Sequence, residues 1–316
     1  MLAAIDIGSN TVLGLTTRQA AAGLETVNEY GATPRLGEGL NHSGRLKPEA
    51  MERTLEAIAR ILGEIRNDVP AGEPVRCFVG ATSAVRCAGN QRDFLDGFHN
   101  RFGFLPRVLS GEEEAMCSFT GAVSAETVAG PFISIDIGGG STEICLGTRA
   151  DCQFARSTEI GCVRVTEVFG LDHPVGNDRI EAARRQVRQQ LEPVCAEISR
   201  LLAGRSFLVL GTDGTASAFA HWMLDLKTYN RPATHGFIAA RQRLHDAAAE
   251  IGAIDTETRV RITHAESRRA SVFPAGLIIL SEILAMLEAP DCKVTAHGLR
   301  HGMILKMLAE GETTVF

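Results

Sequence analysis

Aromatic side chains are scarce in this chain: 5% of 316 residues, with a single Trp and two Tyr. Trp222, Tyr229 and Phe219 could together form a stacking surface, yet core packing is the role expected of them. The eight cysteines (77, 87, 117, 145, 152, 162, 195 and 292) contain no C-x-x-C pair, which argues against a zinc site. Several sit in apolar runs, as reduced core thiols do. The nine histidines include no H-E-x-x-H and draw no metal assignment. An excess of positive charge is also lacking. The net charge of −6 argues against non-specific nucleic-acid binding, while leaving room for a local basic cleft. The longest apolar run, Ala275 to Leu287, contains Ser281 and Glu282 and is too short to span a bilayer. No basic-plus-apolar leader opens the sequence. The expectation is a soluble cytoplasmic protein with neither a membrane nor a nucleic acid as partner. Low-complexity tracts are missing too, and the composition, 45% hydrophobic and 22% charged, is that of a globular protein. A length of 316 residues suggests two domains.

What the chain does have is one glycine turn written twice. Ile5-Asp6-Ile7-Gly8-Ser9-Asn10-Thr11 follows the apolar start Met1 to Ala4, and Ile135-Asp136-Ile137-Gly138-Gly139-Gly140-Ser141-Thr142 follows Phe132-Ile133-Ser134. Each is a short β-branched strand ending in an acid, then small residues, a hydroxyl and a new strand. Glycine lets the backbone turn and lets N–H groups approach an oxyanion. The aspartate before each turn can hold a divalent cation beside that oxyanion. Two such units facing one another make a phosphate clamp between related domains.

Periodicity places these turns in an α/β chain. A hairpin covers 1–17, a strand Glu25 to Tyr30, and a loop Gly31 to Arg45. An amphipathic helix runs from Pro48 to Asp68 with Met51, Leu55, Ile58, Leu62 and Ile65 on one stripe. A strand at Val75 to Gly80, a helix near Gln91 to Phe102, a strand at Pro106 to Leu109 and a helix from Gly111 follow. The pattern then restarts with strands near 132–136, 142–148 and 152–159 and helices near 162–169 and 177–203. A strand at Phe207 to Leu210 leads into the turn Gly211-Thr212-Asp213-Gly214-Thr215, and helices are expected to fill most of the remainder to Glu310. Pro193 predicts a kink or break in the second long helix. The domain boundary falls near Ser124 to Gly130, giving domains 1–125 and 126–316.

The motifs DIGSNT, ATSAVR, SGEEEA, IDIGGGSTE, GCVRVTE, GTDGTA and HGLRHG occur in that order. Through them the chain resembles the Ppx/GppA family of exopolyphosphatases and guanosine pentaphosphate phosphohydrolases, in its short, two-domain form. The resemblance implies two ribonuclease H-like (actin-like ATPase) domains with an interdomain cleft. It implies Mg²⁺ as cofactor, with Mn²⁺ as a substitute and K⁺ as an accompanying monovalent ion, inorganic polyphosphate or pppGpp as substrate, and a homodimer.

Ser110-Gly111-Glu112-Glu113 has capping-box spacing, so Glu112 and Glu113 have structural roles at a helix start. Glu114 has none, and by resemblance it is the base that activates the attacking water. Asp136 and Glu143 flank the second turn and are assigned to Mg²⁺, Asp6 being its counterpart in the first domain. For Glu143 the alternative is a solvated strand residue. Gly138, Gly139, Gly140 and Ser141 would donate to the terminal phosphate, with Ser9 and Asn10 as further polar groups. Arg86, at a strand's C-terminal edge, is the expected bidentate phosphate clamp, a surface arginine being the alternative. Arg164 is a weaker candidate of the same kind. Arg300 and His301 are left without a role. The turn at 211–215 looks like the superfamily's adenosine-side turn, retained as a structural relic. Against the family pattern, Leu13 replaces a basic residue, Asp213 a glycine and Ser271 an aspartate.

Three readings follow: an exopolyphosphatase, a pppGpp 5′-phosphohydrolase, and a non-catalytic polyphosphate- or alarmone-binding regulator. A sugar or acetate kinase of the superfamily would lack the GEEEA motif.

Overall fold

The structure is a computed structural model that describes residues 1–20, 23–70, 72–228, 230–311 and 314–315. Tyr229 and the side chain of Asp213 lie outside the described set.

The first half comprises β1 (Leu2–Ile7), β2 (Val12–Ala20), β3 (Gly23–Ala32), α1 (Leu40–Ser43), α2 (Pro48–Asp68), β4 (Arg76–Ala81), α3 (Ser83–Cys87), α4 (Gln91–Phe102), β5 (Arg107–Val108) and α5 (Gly111–Ser124). The second begins with β6 (Phe132–Ile137), β7 (Thr142–Gly147), β8 (Cys152–Thr158), α6 (Cys162–Phe169), α7 (Asn177–Leu202), β9 (Leu208–Thr212) and α8 (Asp213–Met223). It continues through α9 (Arg231–Thr234), β10 (Ile238–Ala240), α10 (Arg241–Gly252), α11 (Thr256–Thr263), α12 (Ser267–Ala270), α13 (Phe273–Met286), β11 (Asp291–Val294), α14 (Leu299–Glu310) and β12 (Thr314–Val315).

Two sheets repeat one topology. Strands β3, β2, β1, β4 and β5 lie side by side in that order, and β8, β7, β6, β9 and β11 match them one for one. In each, two antiparallel pairings are followed by two parallel ones. This duplicated sheet is the ribonuclease H-like, actin-like architecture expected from the motifs. Strand β6, apolar at Phe132, Ile133, Ile135 and Ile137 and buried along its whole length, suits a position covered on both faces. Helix α2 buries Leu55, Ile58 and Ile65 of the expected stripe, with Met51 and Leu62 packed beside them.

The last helix of each repeat covers the other repeat's sheet. Helix α5 packs on β6, β7 and β8, where Ala115, Phe119, Ala122 and Val123 bury against Phe132, Cys145 and Leu210. Helix α14 packs on β1 and β4, where Leu299, Met303, Ile304 and Met307 meet Leu2, Ala4 and Phe78. The two helices cross at glycines: a Cβ on Gly302 would lie 1.7 Å from the Cys117 carbonyl oxygen. Strand β12 then adds to β4. A single cut at 125/126 therefore does not divide the packing. Each boundary helix has its apolar face turned to the sheet on the far side of the cut.

Three further expectations change. Strands β10 and β11 lie in a stretch read as mostly helical. The loop from Gly31 to Arg45 contains α1, bracketed by Gly39 and Gly44 in the left-handed region (φ 73° and 65°). Helix α7 runs unbroken through Pro193. Pro193 and Gln189, whose carbonyl loses its i+4 donor, are both exposed, so the lost bond falls on the solvent side of the helix. Trp222 and Phe219 pack edge to face within the core, Phe219 being fully buried, as expected of them. His297 and His301, four residues apart, stack with ring centres 3.9 Å apart. Among the described residues, no helix is long and apolar enough to cross a membrane.

Candidate active site

Both hairpin turns are closed by the same bond. Gly8 N–H donates to the Thr11 carbonyl and Gly138 N–H to the Ser141 carbonyl, each at 2.9 Å. Gly138 therefore spends its N–H on closing the turn. Among the described residues no backbone acceptor takes the N–H of Gly139 or Gly140. The two turns touch across the cleft. A Cβ on Gly139 would sit 3.0 Å from Ser9 Cβ, and one on Gly140 would meet Ser83 Oγ at 2.7 Å and Ser9 Oγ at 2.8 Å. Only glycine permits that approach.

Asp6, Ser9, Asn10, Glu114, Asp136, Gly138, Gly139, Gly140, Ser141 and Glu143 line a common cavity of about 90 Å³ between the sheets. Sequence residues more than a hundred positions apart thus converge. Asp136 and Glu143 are directly opposed in the β6–β7 register, which explains why an acid seven residues on returns to the same space. The equivalent pair in the first repeat is Asp6 and Leu13. Leu13 also lines the cavity, so the first turn brings one carboxylate and the second brings two.

Glu114 starts the buried face of α5, behind a complete capping box. Ser110 Oγ accepts the Glu113 N–H at 3.1 Å and Glu113 accepts the Ser110 N–H at 3.0 Å. One turn further, Ser118 Oγ donates to Asp136 Oδ2 at 2.6 Å. Ser157, on β8, donates to Glu143 Oε1 at 2.6 Å. Neither serine was anticipated. Their signal was spacing: Ser118 is four residues after Glu114, and Ser157 is the β8 partner of Glu143.

Burial, then the charges of Glu114 and Asp136, push the Glu143 carboxyl well above its ordinary range. Burial likewise raises Glu114, against the opposing pull of Arg86. Arg86 Nη1 donates to Glu114 Oε2 at 2.7 Å and to the Leu109 carbonyl at 2.9 Å. The expected phosphate clamp thus reaches the cavity through Glu114, with buried Nη2 still lacking a hydrogen-bond partner among the described residues. Arg164 Nε donates to the Gly140 carbonyl at 2.7 Å, bracing the triple-glycine turn from outside, and the guanidinium also pairs with Glu159. Arg300 donates to the Gly14 carbonyl at 2.8 Å and pairs with Glu29. Ser271 Oγ donates to the Arg268 carbonyl at 3.0 Å.

The turn at 211–215 forms the far wall, where Gly214 and Thr215 line the cavity. Thr212 Oγ1 bonds the Ile135 carbonyl at 3.3 Å as Thr82 Oγ1 bonds that of Ile7 at 3.3 Å. The ATSAVR and GTDGTA turns are therefore counterparts in the two repeats.

Crowded carboxylates with hydroxyl neighbours form a hard oxygen donor set, which fits Mg²⁺ or Mn²⁺. Among the described residues no three His, Cys, Asp or Glu side chains converge on one point as ligands. A cation here would complete its shell with water and substrate oxygens, as Mg²⁺ characteristically does.

A duplicated sheet with matched glycine turns around a carboxylate-lined cavity defines a phosphate-handling cleft enzyme of the ribonuclease H-like class. The sequence profile of the Ppx/GppA phosphatase family matches residues 15–310, and the chain belongs to that family of phosphoanhydride hydrolases. An exopolyphosphatase-like protein of known structure is 27% identical over 96% of both chains, with a TM-score of 0.85. The Aquifex aeolicus member of the Ppx/GppA family is 25% identical over 98% of both chains, with a TM-score of 0.76. An exopolyphosphatase from Cytophaga hutchinsonii, 21% identical over 98% of both chains with a TM-score of 0.82, shares the fold.

Proposed function

We propose that the protein is an exopolyphosphatase that removes the terminal phosphate of inorganic polyphosphate by Mg²⁺-assisted attack of water. The observation that carries this reading is Glu114, a buried carboxylate on the wall of a cavity that also presents the Gly139–Gly140 turn. Gly139 and Gly140 N–H groups, Ser9 and Ser83 hold the terminal phosphate. Glu114, held by Arg86, orients the water in line and accepts its proton, a task that a raised carboxyl pKa suits. Ser118 and Ser157 fix Asp136 and Glu143 so that both face the phosphate site. A bound Mg²⁺ would supply charge neutralisation on the phosphate oxygens and would be held by Asp136 and Glu143, with Asp6 opposite. As the new phosphate leaves, the proton on Glu114 returns to solvent or to the departing chain.

The test compares phosphate release from long-chain polyphosphate by the wild type and by Glu114→Gln. Loss of general-base catalysis should cost about 10²–10⁴-fold. Equal rates would remove the assignment, and tight polyphosphate binding without turnover in Mg²⁺, Mn²⁺ or K⁺ would favour the regulator instead.

One observation favours pppGpp as a second reading. A second cavity, of about 270 Å³, adjoins the first and shares Leu13, Ala218 and Arg269 with it. Its walls carry Glu29 and Glu266 beside Tyr30, His221, Arg269 and Arg300, a mixed lining that suits the uncharged base and ribose of a nucleotide better than a further run of phosphates. A panel of pppGpp, short polyphosphate and long polyphosphate at equal phosphate-end concentration separates the two. Localisation in the cytoplasm and assembly as a homodimer belong to the same proposal.

A further inference from the structure

The β7–β8 hairpin brings Cys145 and Cys152 together beneath α5. In its register Cys145 opposes Ala155, Leu146 opposes Phe154 and Gly147 opposes Cys152, so Gln153 is bulged out between the last two pairs. The bulge turns Cys152 to the same side as Cys145 and Ala155. All three pack into the cluster under α5, while Leu146 and Phe154 enter the core on the opposite side. Gly147, the next position on that side after Cys145, leaves the space between the thiols open. A Cβ there would lie 2.9 Å from Cys152 Cα and 2.8 Å from Phe119 Cζ. The two thiols hydrogen-bond one another across the hairpin.

Their surroundings differ. Cys145 is buried and its Sγ donates to the Ala115 carbonyl at 3.3 Å, whereas Cys152 is only half-buried. Cys145 carries one S–H, which serves that carbonyl or, once Cys152 ionises, the neighbouring thiolate. The bond from Cys145 outweighs partial burial and holds the Cys152 thiol below its ordinary range. Every other thiol is pushed up, by burial or, at Cys145, by the same hydrogen bond. A partly exposed thiol with thiolate character beside a second cysteine is the setting in which oxidation ends in a disulfide.

We propose that Cys152 and Cys145 form a peroxide-responsive pair whose disulfide releases β7 from the start of α5, beside Glu114. The Cys152 thiolate attacks hydrogen peroxide: an S–O bond forms, the O–O bond breaks, and the departing hydroxide takes a proton from solvent. The Cys145 sulfur then attacks the sulfenic sulfur. An S–S bond forms, the S–O bond breaks, and hydroxide leaves with the Cys145 proton as water. Two thiols and one peroxide give one disulfide and two waters, sulfur being oxidised and oxygen reduced. Once bonded, Cys145 has no proton for the Ala115 carbonyl, next to Glu114. The new bond also tightens the hairpin just below Glu143, which Ser157 of β8 holds at 2.6 Å.

The test treats the full chain with hydrogen peroxide, removes the excess with catalase, alkylates and digests with trypsin without reductant. Arg149 separates the two cysteines, so peptides 108–149 and 150–156 should appear linked, with fragmentation placing the bond on Cys145 rather than Cys117. Titration should show loss of two of the eight thiols, and dithiothreitol should restore both. In Cys145→Ser, whose hydroxyl can keep the Ala115 bond, dimedone should trap Cys152 as the sulfenic acid. Amide exchange over residues 111–119 should quicken about fivefold in the oxidised protein, the scale of one lost hydrogen bond, and stay at the reduced rate in peroxide-treated Cys152→Ser. Absence of the Cys145–Cys152 link, whatever else is oxidised, overturns the pairing. A link with unchanged exchange in α5 overturns its action on the Glu114 helix. Neither readout uses turnover, so the hydrolase reading stands or falls separately.

Discussion

Glu143 illustrates how a side chain's neighbours decide its chemistry. A lone glutamate on a strand would be solvated, yet this one is buried opposite Asp136 and near Glu114, with serine hydroxyls supporting it. Ser118 stands in the same relation to Asp136, at 2.6 Å. Ser118→Ala should therefore loosen Asp136 without emptying the core. We expect Mg²⁺ affinity to fall about 10–100-fold, the usual cost of losing a partner to a metal ligand. Manganese binding followed by electron paramagnetic resonance checks this independently of turnover, and unchanged affinity would show that Asp136 needs no such support. Much at this scale was legible in the sequence, because the two hairpins carry their acids at fixed offsets. What could not be read was the pairing of Arg86 with Glu114, which lie 28 positions apart and meet only when β4 and α5 are placed side by side.

Among the elements, α5 carries the proposed base, Glu114. Its first turn is locked by the capping box, and Glu113 also pairs with Arg107. The Ser110 N–H, and after it the Arg107 guanidinium, hold the Glu113 carboxyl below its ordinary range despite partial burial. A depressed carboxyl contributes stability that is present above its unfolded pKa and lost as the pH falls through the folded one. Replacing Glu113 by Gln keeps the capping geometry but removes the charge. The wild type should be more stable than Glu113→Gln at pH 7, by about 1 kcal/mol or less, and the gap should close below about pH 4. Thermal melts of the pair across pH 3–7, the range flanking the ordinary carboxylate pKa of about 4, would show it, and a gap independent of pH would refute the electrostatic account. Elements with a strong pattern, such as α2, α4 and the two hairpins, matched their expected spans closely. The strands that escaped notice were short or polar: Ile238–Ala240 has three residues and Asp291–Val294 carries Asp and Lys. Their strand character comes from the register of β9 and its neighbours, which no local pattern encodes.

For the molecule as a whole, the duplicated fold and the cleft followed from the repeated turn, while the exchange of α5 and α14 between the two halves has no local sign in the sequence. Residues 1–125 leave the apolar face of α5 uncovered, and residues 126–316 carry away the helix that shields β1 and β4. Fragments cut at 125/126 should each be insoluble or molten when made alone and should recover native secondary structure only when produced together. Circular dichroism of the separate and co-expressed pieces checks this, and a cooperatively folded single fragment would contradict it.

The reciprocal helix swap has one last consequence, for how the molecule comes apart. Since neither lobe owns a finished interior, heating should melt both in a single calorimetric peak, and a newly made chain must await its closing residues before its opening strands are sheltered.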